Sequence, residues 1–260
     1  MNIRRSIVDV VGDNILSVKN SSNEQKVLST IDGQVIVDNC FDEIRRMSDG
    51  LIVVSKNNLW GAVDKNGEVK IGIEYSDLGD FSQGLAAVSS SSGKFGYIDK
   101  TGSVAIDCAY EKVSEFHEEL AVVVDWNTGK SGYINPAGDV VIKLGFDRSK
   151  RFSEGLAPVY VGGEAGFIDK NGSFVITPQF KHCSPFFEGL AGASLDEEEK
   201  ACGFINESAD WVILPHYHSI ENFKFGICLV HGSNLKSDSL FSAYIDKYGC
   251  FVWGPGDSWW

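Results

Sequence analysis

Two histidines set the sharpest question of chemistry in this chain. His216 and His218 flank Tyr217, so on an extended segment both imidazoles share one face. With His182 or Cys183 from about 35 residues earlier they could supply nitrogen and sulfur donors to a metal. However, the two histidines stand where Gln179 and Lys181 stand in the preceding stretch of similar sequence, which are ordinary surface slots. They are therefore expected to be surface histidines, and no metal or cofactor is assigned to them. The carboxylates Asp64, Asp99, Asp169 and Asp246 recur, each followed by a lysine. A catalytic acid–base pair is needed once, so this recurrence points to turn formation instead. The segment Val161–Gly166 is glycine-rich, but Gly166 belongs to a recurring line and the pair before it reads as a loop. No nucleophile elbow, HExxH helix, phosphate-binding glycine loop or aspartate-rich calcium loop is present.

These residues sit within a unit written seven times, about every 35 residues. Its clearest line is Gly96–Gly102 (GYIDKTG), which returns at 61–67, 132–138 and 166–172, and more weakly at 27–33, 203–209 and 243–249. Apolar residues follow the closing position at plus two and plus four, as in Val104 and Ile106 or Phe174 and Ile176, a period that belongs to a strand. The DKNG or DKTG segment supplies the turn, so the line and its sequel read as a β-hairpin. Another strand precedes it at 14–18, 50–54, 84–88, 119–123, 155–159, 189–193 and 226–230. Its recurring small residues, Ala86, Ala121, Ala157, Ala191 and Cys228, suggest that backbones crowd there, as near the axis of a ring. Between units, aromatic residues recur six apart, as in Tyr110 and Phe116 or Phe180 and Phe186, often with an apolar residue at the third position. That spacing predicts one turn of 3₁₀ or α-helix lying on the strands, with the aromatic rings as core between units.

The run Phe152–Val159 (FSEGLAPV), then Gly166–Gly172 (GFIDKNG), then Val175–Phe180 (VITPQF), closely resembles the bacterial WG repeat family, also called KWG. Trp60–Gly61 matches the dipeptide behind that name, and the likeness runs over residues 12–253. The other units carry Phe95, Ser131, Ala165, Cys202 and Ser242 in place of Trp60. The resemblance implies a β-rich repeat scaffold thought to bind other proteins, and it carries over no catalytic residue.

The expected fold is all-β: seven three-stranded repeats in one domain, residues 1–253, followed by a C-terminal tail, residues 254–260. A propeller-like closed ring is favoured over an open β-repeat solenoid, because the end units keep apolar strands that an open stack would cap. The composition agrees, with 16 Phe, 8 Tyr, 6 Trp and 28 Gly against 6 Pro.

Thirty-six acidic against 23 basic residues leave a net charge of −13, which repels phosphate backbones and anionic membranes. No apolar run reaches the ~18 residues a spanning helix needs, and the start MNIRRSIVDVVGDN does not read as a signal peptide, so a cytoplasmic location is expected. The six cysteines lie far apart and read as reduced thiols, most of them within apolar runs.

The loops between the first strand and the hairpin vary in length between units, and in repeat proteins such loops often form the binding face. They carry the candidate binding residues Trp126, Asp196, Glu197, Glu198, Glu199, Leu235, Leu240 and Phe241. Trp259 and Trp260, after Gly254–Gly256, either join that surface or pack over the seam between first and last units. The expected function is a non-catalytic protein-binding scaffold. Its most concrete form is an acidic cytosolic inhibitor or immunity-type protein that neutralises a partner such as a basic toxin domain. The competing classes are an enzyme or a glycan-binding module using a central or loop-face pocket.

Overall fold

The computed structural model describes residues 5–20, 26–196, 201–233 and 240–254. Seven antiparallel sheets follow one another along the chain, six of four strands and one of three. Their strands are Arg5–Gly12, Ile15–Asn20, Lys26–Thr30 and Val35–Phe41; Glu43–Ser48, Leu51–Lys56, Leu59–Asp64 and Val69–Tyr75; Leu85–Ser89, Phe95–Asp99 and Val104–Tyr110. Then come Lys112–Val113, Ala121–Val124, Ser131–Ile134 and Val140–Phe146; Arg148–Ser149, Ala157–Val161, Glu164–Ile168 and Phe174–Phe180. The last two sheets are His182–Cys183, Ala191–Ser194, Cys202–Ile205 and Trp211–Tyr217; Ser219–Ile220, Ile227–Ser233, Leu240–Asp246 and Phe251–Trp253. Strands within each sheet are hydrogen-bonded in chain order. Among the described residues there is no helix, and so none long and apolar enough to cross a membrane.

The unit therefore has one strand more than the sequence spacing predicts, and the expected helical turn between units is where that strand lies. Lys112 and Val113 pair with Val124 and Val123, extended by the Glu111 N–H donating to the Val124 carbonyl and the Ser114 N–H to the Val122 carbonyl. A neighbouring strand offers its free edge to this segment, and pairing there satisfies backbone groups that one isolated helical turn would leave exposed. In the three-stranded sheet, an isolated bridge between Leu78 and Val88 stands in the same place.

The chain divides into two compact units, Met1–Gly129 with Ile134–Asp139, and Lys130–Tyr133 with Val140–Trp260. The repeat pattern runs through both. In each, an aromatic of the hairpin meets the aromatic that follows the next short strand. Tyr97 lies 4.9 Å from Phe116 in the first unit; in the second, Tyr133–Phe152, Phe167–Phe186 and Phe204–Phe223 lie 4.8, 4.9 and 4.8 Å apart. All eight rings are buried, so the expectation of an aromatic core between repeats holds. Where the ring is a tyrosine, its hydroxyl donates to a backbone carbonyl: Tyr97 to Ser114 at 2.7 Å, Tyr133 to Lys150 at 2.8 Å. Burial pushes both phenols up from their usual range.

The glycine that opens five of the seven lines has a geometric reason. Between Phe95 and Ile98 the register with the next strand slips twice, and the bulged strand turns its backbone toward Gly96. A Cβ at Gly61 would lie 2.7 Å from the Ile71 carbonyl oxygen, and one at Gly132 2.5 Å from that of Ile142. Gly96, Gly166 and Gly203 meet the carbonyls of Ile106, Ile176 and Ile213 in the same way. In these five copies the bulge leaves no room for a Cβ, whereas the first and seventh copies carry Val27 and Ala243 at this slot. The recurring small residues Ala86, Ala121, Ala157, Ala191 and Cys228 are all buried.

Candidate binding surface

Each sheet has two ends of different character. At one end lie the hairpin turns and the tight turns before the second strands; at the other lie the loops joining second to third strands.

At the turn end the recurring polar residues serve the backbone. The Asp99 Oδ1 accepts the N–H groups of Thr101 at 2.8 Å and Ser103 at 3.0 Å. Asp64, Asp169 and Asp246 accept at the same two offsets, and so, without a charge, do Asn135 and Asn206. The Thr101 hydroxyl and backbone N–H hold the Asp99 carboxyl below the usual range, and the Ser173 N–H does so for Asp169. These carboxylates are turn formers.

A second set of residues at this end, missed in the sequence reading, joins one repeat to the next. The tight turns at 49–50, 83–84, 118–119, 154–155, 188–189 and 225–226 place two successive residues at positive φ. The side chain at the first position of one turn reaches the N–H groups of the next. In the first unit, the Gly84 N–H donates to Asp49 Oδ2 at 2.6 Å and the Glu119 N–H to Gln83 Oε1 at 3.0 Å. In the second, Glu188 and Gly189 donate to Glu154 at 2.5 and 2.8 Å, and Gly226 to Glu188 at 3.0 Å. Lysines of the hairpin turns close the stitch, Lys100 Nζ on the Asp49 carbonyl at 2.5 Å and Lys247 Nζ on the Glu188 carbonyl at 2.8 Å. Partial burial opposes ionisation of Glu188, but Lys247 and the Gly226 N–H outweigh it and lower its pKa. The signal was in the sequence as a polar residue before glycine at repeat spacing.

The loop end does not repeat. Its described loops run from two residues, at 57–58 and 162–163, to six, at 125–130. Trp126 is 44% exposed there, with the Lys94 ammonium 5.5 Å from its ring centre. Asp125 orders the same loop by accepting from the Asn127 and Thr128 N–H groups at 3.2 and 2.8 Å. Leu195 is exposed, and Asp196 beside it is half-buried, its N–H donating to Ser194 Oγ at 3.2 Å. Glu197, Glu198, Glu199, Leu235, Trp259 and Trp260 lie outside the described residues. In the segment expected as the longest loop, 231–242, the described residues are strand: His231, Gly232 and Ser233 pair with Ser242, Phe241 and Leu240. Leu240 is exposed there, while Phe241 packs edge-on against Phe251 at 6.0 Å.

That lengthened hairpin brings Phe241 to the two histidines. His216 and His218, both exposed, line a cleft of about 750 Å³ with Leu214, Tyr217, Ser233, Phe241, Tyr248 and Phe251. His182 and Cys183 instead line a small crevice with Lys150, Ser194 and Cys202. Burial pushes the Cys183 thiol up to about 12. Among the described residues no three metal-ligating side chains gather at one point. The described cysteines are free thiols; Cys183, Cys202 and Cys228 are buried, Cys108 is half-buried and Cys250 is exposed.

Two solved structures are similar in fold. One, described as a crystal structure of the eukaryotic initiation factor, has 10% identity over 96% of this chain and 77% of its own, with a TM-score of 0.61. The other, KlHsv2 with loop 6CD replaced by a Gly-Ser linker, has 12% identity over 93% of this chain and 98% of its own, with a TM-score of 0.53. No curated protein matches the chain in sequence. The profile of the WG containing repeat matches residues 31–60, 60–92, 95–125, 132–164, 166–198 and 203–230, six tandem copies that run through the sheets, turns and stitched junctions above, and the chain belongs to that repeat family.

Proposed function

We propose that this chain is a non-catalytic scaffold that binds another protein through the loop ends of its sheets. One observation carries this reading: the recurring polar side chains described at the turn ends are engaged in forming turns and stitching repeats, while the loop ends vary in length and present Trp126, Leu195 and Leu240 to solvent. Large exposed side chains on variable loops held by a rigid framework are the usual makings of a binding surface. The net charge of −13 favours a basic partner, because opposite charge speeds encounter and suppresses wrong partners. In its most concrete form the partner is a basic toxin domain and the chain its cytosolic inhibitor. The seven sheets are assigned to a closed, propeller-like ring, a reading supported by the sequential four-stranded sheets and by the two structural likenesses.

Titrating the purified chain with basic toxin domains at rising salt tests the partner. Complex formation that weakens steadily with salt and falls on Trp126→Ala supports the reading; absent or salt-insensitive binding overturns it. Small-angle scattering tests the ring: a compact body of this length has a radius of gyration of about 18 Å, and a clearly larger value favours an open stack.

A further inference from the structure

A repeat protein carries its own controls, because each slot recurs in a similar setting. Along the fourth strands, the slot of Leu214 holds Gly72, Asp107, Lys143 and Thr177 in earlier repeats, and that of His216 holds Glu74, Ala109, Gly145 and Gln179. The hairpin-turn slot of Tyr248 holds Asn66, Thr101, Ala137, Asn171 and Ser208. The slot of Phe241, two before the opening position of the line, holds Leu59, Lys94, Lys130, Glu164 and Ala201 in the second to sixth copies. Slots that are mostly polar or small elsewhere become leucine, histidine, tyrosine and phenylalanine at the junction of the sixth and seventh repeats, and all four side chains line one cleft.

The apolar members are costly to leave in water: Leu214 is 67% and Tyr248 85% exposed. The cleft's volume of about 750 Å³ is that of a small-molecule site. Its floor is ordered, with the His216 ring 4.1 Å from that of Tyr217, Phe241 edge-on to Phe251, and His218 Nε2 within 3.3 Å of Ser233 Oγ. Among the described residues, the cleft lining contains no Asp, Glu, Lys or Arg in a chain that is 23% charged. A charged ligand would lose its water there without gaining a counter-ion, whereas a neutral ring with a hydrogen-bonding edge would lose little. Desolvation lowers the pKa of His216, which keeps that imidazole neutral at pH 7.

We propose that this cleft is a binding site for a small, neutral aromatic molecule, held between Leu214, Phe241 and Tyr248 and oriented by the imidazoles of His216 and His218. The cleft differs from the loop-end protein surface proposed above in its occupant, and adjoins it where Ser233 pairs with exposed Leu240.

The test uses indole as probe and the imidazole proton resonances of His216 and His218 as readout, with indole-3-acetate as the charged comparator. The control variant, Leu214→Thr with Tyr248→Asn, installs the residues that the fifth repeat already carries as Thr177 and Asn171. Its thermal unfolding should match that of the parent. The proposal predicts saturable shifts of both histidines with indole, affinity about tenfold weaker for indole-3-acetate, and a loss of about tenfold or more in the double variant. Shifts that persist unchanged in the double variant, equal affinity for the charged probe, or no saturable shift up to the solubility of indole would each overturn it. Binding seen only with a tryptophan-containing peptide and not with free indole would also overturn it, and would assign the cleft to a partner chain.

Discussion

The two ends of each sheet obey different rules. At the turn end, Asp64, Asp99, Asn135, Asp169, Asn206 and Asp246 do one job six times, and Asp49, Gln83, Glu154 and Glu188 do another four times. At the loop end, Trp126 and Leu240 have no large apolar counterpart in the other repeats, and Leu195 shares its slot only with exposed Val161. Within a repeat array, recurrence of a polar residue marks structure, and departure from recurrence marks a place where something other than folding can set the residue.

The largest effects should come from the bulge glycines and from the aromatics between repeats. Gly132→Ala places a methyl group 2.5 Å from the Ile142 carbonyl oxygen, a backbone atom rather than the end of a flexible side chain, and should destabilise by about 3 kcal/mol in denaturant unfolding. At the loop end, Gly162→Ala meets nothing within 4 Å and bears only the left-handed backbone, φ 62°, for a loss of about 1 kcal/mol. Equal losses would erase the distinction between the recurring bulge glycine and a glycine of a non-recurring loop.

Truncating an aromatic between repeats is of similar size. Phe186→Ala removes a fully buried ring that packs 4.9 Å from Phe167 and should cost about 3–5 kcal/mol.

The stitches are weaker individually. Glu154→Ala leaves the Glu188 and Gly189 N–H groups to water and should cost about 1 kcal/mol, with Gln83→Ala costing a similar amount through Glu119.

The hairpin turns sharpen the comparison by pH. Asp99 and Asp169 have folded-state pKa values below the ordinary 3.8, so their stabilisation is present above that value and is lost as pH falls through the lower, folded value. Replacing both by Asn, which the chain already uses at Asn135 and Asn206, should leave neutral-pH stability nearly unchanged and flatten the stability profile below about pH 4. An unchanged acid profile would show that these carboxylates do not set it. Smallest of all, Trp126→Ala should move stability by no more than about 0.5 kcal/mol while weakening partner binding.

Much of the fold was legible because the repeat amplifies weak signals: GYIDKTG, GFIDKNG and GYINPAG state the hairpin several times over, and the six-residue aromatic spacing marked Phe116, Phe152 and Phe186 as core. The short first strand was not legible, because two residues such as Lys112 and Val113 carry no periodicity and their pairing is decided by the edge of a strand several residues away. The stitches were missed for a related reason, since Glu154 and Gly189 are 35 residues apart and only the folded array brings them together. The cleft was half legible. His216 and His218 stood out as departures from the pattern, but the partners Phe241 and Tyr248 belong to the next repeat and are joined to them by packing alone.

The stitching also gives the array a direction. The side-chain oxygens of Asp49, Gln83, Glu154 and Glu188 reach forward and accept from N–H groups of the copy that follows, and Phe225, 88% exposed at the equivalent slot of the last turn, has no side-chain oxygen to accept with. Like a clasp with a hook on one side only, every module is told where to sit by its predecessor, so an error made early would be passed downstream while one made late would stay local.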